Sequence, residues 1–356
     1  MNPSDPASLL PGLPRGAEVL VIRLRSVGDV VLLTPAISAL YSWRPDLRIS
    51  VLVEPGCAAV LEGNPAVHEI LLAGSFFSTA KSLYRRNFPI AYNHHGGPTS
   101  AFLTAASGAK NRVSWKGRQF GLLYNVHAPD AAEFYGTLQV HSVEQRMTQF
   151  YWTGLPRGPI PRSEVFPQAD ARASVAKKLQ ALGISPGDPY AVMQPGARHV
   201  TKQWPLENFA ATSQSLWKSH GLRSVVNLGP GEYQMAKTAA AQFGDSGVVL
   251  DSLDLRELIA LIAGAKFFVG NDTGPSHLAA AMNIPAVVIF GSTNSTYWRP
   301  WQADHRVVQN EGDPKGIASV TIEQVREACE SLLAMHPFGL SSDNVAVAKN
   351  RGIATI

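Results

Sequence analysis

The stretch Phe267–Gly291, FFVGNDTGPSHLAAAMNIPAVVIFG, leaves few choices for the fold of the chain around it. Phe267–Val269 and Ala286–Phe290 are short apolar runs rich in β-branched and aromatic residues, the pattern of strands covered on both faces. Between them, Asn271-Asp272-Thr273-Gly274-Pro275 carries loop and N-cap chemistry. Pro275 suits a first helical turn, and Pro285 marks the helix exit. Strand, polar loop, helix and strand at this spacing form a βαβ unit, which requires a parallel sheet flanked by helices. The start of such a helix offers unpaired N–H groups and a positive dipole end, a site that favours phosphate, with His277 as a further donor. On pattern alone, a capped helix with a buried histidine fits equally well.

The same grammar runs through the rest of the chain. Glu18–Leu24 reads as a buried strand, Arg25–Asp29 as a loop, and Val30–Tyr41 as a helical stretch with a start or break at Thr34-Pro35. Leu47–Val53, His68–Leu72, Ile90–Tyr92 and Asn111–Ser114 read as strands, and Thr99–Ala106 as a helix. The Pro/Arg-rich passage Gly154–Pro167 breaks the rhythm and reads as a linker. A second α/β series follows: helix Ala169–Leu182, strand Tyr190–Gln194, helix 206–219, strand Ser224–Leu228, helices 232–243 and 254–263, and the amphipathic Ile322–Met335. The expected division is a flexible leader over 1–16, a first domain over 17–167, a second over 168–335 and a tail over 336–356. Two Rossmann-like halves with a cleft between them is the simplest α/β architecture, with ligands beyond the carboxyl ends of the strands.

A chain of 356 residues, 45% hydrophobic and 16% charged, has material for two compact cores. Cys57 and Cys329 lie far apart and suggest neither a disulfide framework nor a zinc site. No basic segment followed by an apolar core opens the chain, and no apolar run reaches the ~18 residues of a membrane span. A soluble, cytoplasmic protein is expected. The net charge of +4 is modest but unevenly spread. Between Glu69 and Asp130 there is no acidic residue, while Lys81, Arg85, Arg86, Lys110, Arg112, Lys116 and Arg118 all fall there, with His94, His95 and His127. Such a block attracts anions. Nucleic acid, an anionic membrane surface and an acidic glycolipid all fit it, as does a solvated basic face.

Four polar loops follow expected strands. Gly28-Asp29 places a carboxylate beyond the first strand, as a helix cap or as a general base. In Pro195–Pro205 the backbone amides, the Thr201 hydroxyl and the Lys202 ammonium suit a diphosphate, whereas Trp204 suits packing at a helix start. Gly229-Pro230-Gly231-Glu232 is no dinucleotide fingerprint, because Gln234 stands where a third glycine is required. Asp272 opens the fourth loop.

The string D-T-G-P-S-H-L-A-A-A closely resembles the nucleotide-sugar motif of the heptosyltransferase family of lipopolysaccharide synthesis, glycosyltransferase family 9. VIRLRSVGDVVLLTPAISAL resembles that family's opening strand and G-D loop, and P-G-A…K-x-W-P and G-P-G-E match further family loops, in family order over roughly residues 18 to 300. The resemblance implies a GT-B glycosyltransferase: two Rossmann-like parallel-sheet domains facing a central cleft. It implies Asp29 as the catalytic base on the acceptor hydroxyl. It further implies Thr201 and Lys202 at the nucleotide phosphates, Glu232 at the nucleoside, Asp272, Thr273 and Gly274 at the donor sugar and phosphates, and His277 near the diphosphate. An aspartate beside phosphates is repulsive, so Asp272 is expected to face sugar hydroxyls.

Acceptor contacts are expected on the basic first domain, from Arg25, His94, Arg112, Lys116 and Arg118. Asn93-His94-His95-Gly96-Gly97 departs from the D-x-Q-G-like acceptor loop common in the family. No D-x-D occurs, so a metal-independent, cofactor-free mechanism is expected, with the leaving diphosphate neutralised by Lys202 and helix dipoles. The expected activity is inverting transfer of a sugar, heptose from ADP-heptose by family, to an anionic inner-core glycolipid. Peripheral contact with the inner membrane is a further expectation, and nucleic acid is not an expected partner. The alternative is a non-catalytic nucleotide-sugar-binding protein on the same fold. A nicotinamide-dependent oxidoreductase is disfavoured, because no G-x-G-x-x-G opens either half.

Overall fold

The protein is described from a computed structural model, over residues 6–229 and 231–336. Its contacts divide the chain into two compact units between Phe166 and Pro167.

The first unit is built on six parallel strands, β1 (Glu18–Ile22), β2 (Arg48–Val53), β3 (Glu69–Leu72), β4 (Ile90–Asn93), β5 (Asn111–Trp115) and β6 (Val126–Ala128). Its helices are α1 (Val27–Val31), α2 (Thr34–Trp43), α3 (Phe76–Tyr84), α4 (Pro98–Ala106), α5 (Ala131–Tyr135) and α6 (Ser142–Trp152). The strand order is β3-β2-β1-β4-β5-β6. Val19, Leu20, Val21 and Ile22 of β1 are all fully buried. That explains why its sequence is continuously apolar rather than alternating, and each such side chain contributes about 1.5–3 kcal/mol of burial. The helical stretch after β1 is two helices, not one. Thr34 donates its hydroxyl to Val31 O at 2.8 Å in the step between them, and Pro35 stands in the first turn of α2. Helix α1 begins at Val27, so Asp29 sits in a first helical turn rather than in an open loop.

The leader expected to be flexible is packed over residues 6–16. Leu10 is fully buried and donates its N–H to Thr153 O at 2.9 Å. Arg44 donates to Leu10 O at 3.2 Å and Leu13 O at 3.1 Å. Gly154, at φ 110°, lies so close to Ala7 O that any Cβ there would collide with it. Residues 1–5 and, in the expected tail, 337–356 lie outside the described residues.

The second unit opens with α7 (Ala169–Ala181) and β7 (Tyr190–Gln194). It continues through α8 (Leu206–His220), β8 (Arg223–Asn227), α9 (Tyr233–Phe243), β9 (Gly247–Leu250), α10 (Leu255–Gly264) and β10 (Phe267–Asn271). It ends with α11 (Gly274–Ala281), β11 (Ala286–Ile289), α12 (Ser295–Trp298), β12 (His305–Val308) and α13 (Ile322–Met335). The order is β12-β11-β10-β7-β8-β9, again all parallel. Counted from β7, this is the topology of the first sheet. Capping boxes start α10 (Asp254/Glu257) and α13 (Thr321/Gln324). Glu257 also takes hydrogen bonds from Lys178 and Ser174 at 2.7 Å each, tying α7 to α10. The core packs Trp204, Phe209, Phe243 and Phe267 with the apolar faces of β7, β8, β10 and α13.

Strand order reverses between β1 and β4 in one unit and between β7 and β10 in the other. At such a switch point the flanking loops part and leave a crevice beyond the strand ends.

Candidate active site

In the first unit the switch point is occupied by Asp29. Arg23, just past β1, meets one carboxylate oxygen through Nη2 at 2.5 Å. Arg146 of α6 meets the other through Nη2 at 2.5 Å. Both arginines are themselves fixed. Arg23 Nη1 donates to His94 O at 2.6 Å, and Arg146 Nη1 donates to Ser142 O at 2.5 Å. Burial pushes the Asp29 pKa up, but Arg146 and Arg23 outweigh it, aided by hydrogen bonds from Ser26 and Arg23, so the carboxyl is held below its ordinary value. Ser26 stands at φ 75° immediately before α1. A non-glycine residue there costs about 1–3 kcal/mol, and such strain clusters at functional sites.

The loop after β4 forms the other side. Asn93 accepts the N–H groups of His95 and Gly96 at 2.9 and 3.1 Å and donates to Thr104 and Tyr124. Gln149 of α6 donates to Asn93 O at 3.0 Å. His95 is half-buried; burial, then the charges of Arg23 and Arg25, push its pKa down to about 4, against an opposing pull from Asp29. It is therefore a neutral imidazole at physiological pH.

The expected acceptor residues fall in different places. Arg25 is exposed and near enough to His95 for its charge to act there. Arg118 lies over the Trp115 ring at 5.1 Å and beside Gly96, where a Cβ would approach Nη1 to 3.7 Å. Lys116, also past the end of β5, pairs with Glu133 at 3.3 Å on the surface. His94 is 1% exposed and stacks on Phe150 at 5.3 Å. Burial, then Arg146 and Arg23, hold it neutral, so it is a core histidine out of reach of an acceptor. Arg112 stands at the opposite end of β5, where its guanidinium donates to Leu123 O at 2.8 Å and Ala109 O at 2.9 Å. It braces the 109–125 turn rather than facing the switch point.

In the second unit four loops converge at the strand ends. Lys202 and Asp272 form an ion pair at 2.7 Å, with Asp272 at 6% and Lys202 at 33% exposure. Asp272, expected to face only sugar hydroxyls, thus also balances the lysine. Asn271 locks the two loops together, donating to Pro195 O at 2.8 Å and accepting the Trp204 N–H at 3.2 Å. Trp204 is a core residue, its indole donating to Val320 O at 2.8 Å. Glu232 accepts the Gly229 N–H at 2.6 Å and lies against Gly196 so closely that a Cβ there would overlap the carboxylate. The exposed Thr201 lies on the β11 loop, its carbonyl 3.0 Å from where a Gly291 Cβ would stand. Thr273 is the N-cap of α11 but makes no side-chain cap bond, its hydroxyl turning to Asn271 O at 3.3 Å. Gly274 and Pro275 start the helix, and His277 is buried in its first turn.

Sequence reasoning missed Arg23, Arg146 and the anchoring roles of Asn93 and Asn271. Arg23 carried a signal, a charge at the end of an otherwise apolar strand. Arg146 carried none, because α6 buries nine of its eleven residues, polar ones included. Among the described residues no group of three or more His, Cys, Asp or Glu side chains is placed to hold a metal ion.

Two Rossmann-like units of identical topology, one presenting an ionised carboxylate and the other a lysine and a helix start at the switch point, define a glycosyltransferase of the GT-B class. The chain belongs to glycosyltransferase family 9 (heptosyltransferase), whose model matches residues 76–323. It is 28% identical to lipopolysaccharide heptosyltransferase 3 of Escherichia coli K12 over 295 residues, 78% of this chain and 83% of the relative. Among solved structures, E. coli ADP-heptose lps heptosyltransferase II superposes with a TM-score of 0.77 at 22% identity, covering 90% of this chain and 100% of that one. E. coli heptosyltransferase WaaC with ADP superposes at 0.71 and 24% identity, covering 88% and 99%. Asp29 lies outside the residues that the family model matches.

Proposed function

We propose that the protein is an inverting, metal-independent heptosyltransferase that moves heptose from ADP-heptose to an inner-core or related anionic glycolipid acceptor. The observation that carries this reading is the Arg23–Asp29–Arg146 arrangement. A carboxylate fixed through both oxygens keeps its remaining lone pairs in defined directions and stays ionised at working pH. In the proposed step Asp29 accepts the proton of an acceptor hydroxyl. That oxygen forms a bond to the anomeric carbon as the bond to the diphosphate breaks on the opposite face, and ADP leaves with the electron pair. Because the arginines make Asp29 a weak base, proton transfer is expected to run late, as charge develops on the attacking oxygen.

The second unit supplies the donor site. Lys202 has three donors and gives one to Asp272, leaving two for phosphate oxygens. The uncapped start of α11 adds backbone N–H groups and its dipole. Glu232 accepts from ribose hydroxyls, and Asp272 from the sugar. We place the reaction in the cytoplasm, a reading supported by Cys57 and Cys329 both being free and buried. The named relatives, a heptosyltransferase 3 and an ADP-bound heptosyltransferase, support the choice of sugar and base.

Calorimetric titration with ADP, UDP, GDP and ADP-heptose, without added metal, tests the donor assignment. Selective ADP and ADP-heptose binding is expected. Selective binding of UDP or GDP would sink it.

A further inference from the structure

Large exposed apolar side chains are concentrated in one part of the molecule. Leu72, Phe76, Phe77, Tyr84, Phe102 and Leu122 all lie between residues 72 and 122, with Phe77 84% exposed and Leu122 fully exposed. That is the span in which the sequence has no acidic residue at all. The structure brings these side chains onto adjoining elements. Helix α3 packs on α4, and α4 packs on the turn at Gly121–Leu123. Phe76 and Phe77 meet edge to face at 5.6 Å, and Phe102 lies 5.5 Å from Phe120. Tyr84 crosses from α3 to α4, its ring 3.0 Å from where a Cβ of Gly108 would stand. The cations Lys81, Arg85, Lys110 and Arg118 are exposed on these same elements.

A solvated helix face would not carry unshielded phenylalanines, and a protein-binding patch would be expected to mix both signs of charge. Aromatic and leucine side chains interspersed with Lys81, Arg85, Lys110 and Arg118, on α3, α4 and a turn that themselves carry no carboxylate, match a bilayer boundary, where rings enter the acyl edge and cations meet headgroup phosphates. The face also adjoins the candidate acceptor side, because α4 starts at Pro98 directly after the His95–Gly97 loop and Arg118 lies beside Gly96.

We propose that the face formed by α3, α4 and the 118–123 turn docks on an anionic lipid bilayer. Phe77, Phe102 and Leu122 enter the interface and Lys81, Arg85, Lys110 and Arg118 contact the headgroups. A lipid-linked acceptor would then be met at its own surface, but the docking does not depend on which sugar is transferred.

Co-sedimentation of the full chain with vesicles tests this, comparing phosphatidylcholine alone with phosphatidylcholine mixed with phosphatidylglycerol. Binding is expected only to the anionic vesicles and should weaken with salt. Each cation near such a surface is worth about fivefold in partitioning, so the charge reversal Lys81→Glu/Arg85→Glu should lower it more than tenfold. Phe77→Ser/Leu122→Ser should reduce binding comparably with net charge unchanged. Lys218→Glu, exposed on α8 of the other unit, should leave binding within about twofold. All four proteins are checked for unchanged circular dichroism and melting. No binding by the native chain, an equal loss with Lys218→Glu, or full binding by the Phe77→Ser/Leu122→Ser protein would overturn the proposal. So would a native chain that ignores vesicles and covers this face by self-association, lost in the Phe77→Ser/Leu122→Ser variant by analytical ultracentrifugation.

Discussion

Replacing Asp29 by asparagine keeps the shape of the side chain and removes the charge that Arg23 and Arg146 share. An amide has one acceptor oxygen, so at least one guanidinium loses its partner at a separation that was 2.5 Å. Stripping one member from a buried pair costs about 3–5 kcal/mol when the orphaned charge cannot reach water. Arg146 is 4% exposed and Arg23 13%, so Arg23 regains some hydration. We therefore expect a loss of about 2–4 kcal/mol, or a fall in Tm of roughly 5–15 °C for this size of chain. The variant should still be folded at 25 °C.

Its rate should fall further than its stability. A positioned general base contributes ~10²–10⁴-fold, and asparagine cannot take a proton. Single-turnover transfer from ADP-heptose to a delipidated inner-core acceptor should slow by that factor, with the donor Kd by calorimetry kept within about threefold of native. The stability change has its own pH signature. The Asp29 carboxyl is held below its unfolded-state value of 3.8. Its pairing therefore stabilises the protein fully above that pH and is lost as pH falls through the folded-state value. The difference in stability between native and Asp29→Asn should be flat near neutrality and close below about pH 4. A folded variant whose kcat stays within tenfold of native would refute Asp29 as the base, whereas absence of any transfer by the native chain itself would favour a binding protein on this fold.

Lys202→Ala should weaken ADP binding by about tenfold to hundredfold and lower Tm, since it leaves Asp272 buried without its cation; adding Asp272→Asn should recover the Tm but not the affinity, and recovery of both would deny Lys202 a phosphate contact. Gly196→Ala should push the Glu232 carboxylate from its seat and weaken ADP binding by about 1.5–3 kcal/mol in calorimetry while Tm moves by only a few degrees; unchanged affinity would remove Glu232 from the nucleoside site. His94→Phe, which replaces a neutral stacked ring by another, should leave acceptor KM within about twofold; a large rise in a folded protein would return His94 to the acceptor site.

The sequence made the sheets legible because parallel strands buried on both faces are written as apolar runs that alternate with capped helices. Strands β1, β2, β7 and β10 fall within one or two residues of where the pattern predicts them. Most of what escaped had no pattern of its own, although α3, with Ser75 as its N-cap, was missed as well. β6 has three residues, β12 is mostly half-buried at a sheet edge, and α6 is buried nearly all round. The donor loops were legible as residue strings that follow strands. The partners were not: Arg146 lies 117 positions from Asp29 and Asp272 lies 70 from Lys202. Only the strand order, with its reversal at β1/β4 and β7/β10, brings such residues together. Basic residues misled for a related reason. Arg112 and Lys116 are four apart in sequence and at opposite ends of one strand, so a charge block in sequence is not a charge block in space.

The two switch points share a topology and differ in how their charges are balanced, and that difference separates their chemistry. At the first, one carboxylate faces two guanidiniums that cannot lose their protons. The balance favours the ionised acid at any physiological pH, and the local excess of positive charge suits an anionic acceptor lying alongside. At the second, one carboxylate faces one ammonium, whose remaining donors point away from the pair. Asp272 is buried deeper than Lys202, so the lysine is the member left for an incoming phosphate. If the pairs were exchanged, the first site would lose the second cation that holds its base ionised. The second would then hold its carboxylate between two planar guanidiniums, whose donors point in fixed directions, where an ammonium can rotate its own toward an incoming phosphate. On the proposed function, arginine beside the base and lysine at the donor site suit what each site would do with a proton and with a leaving group.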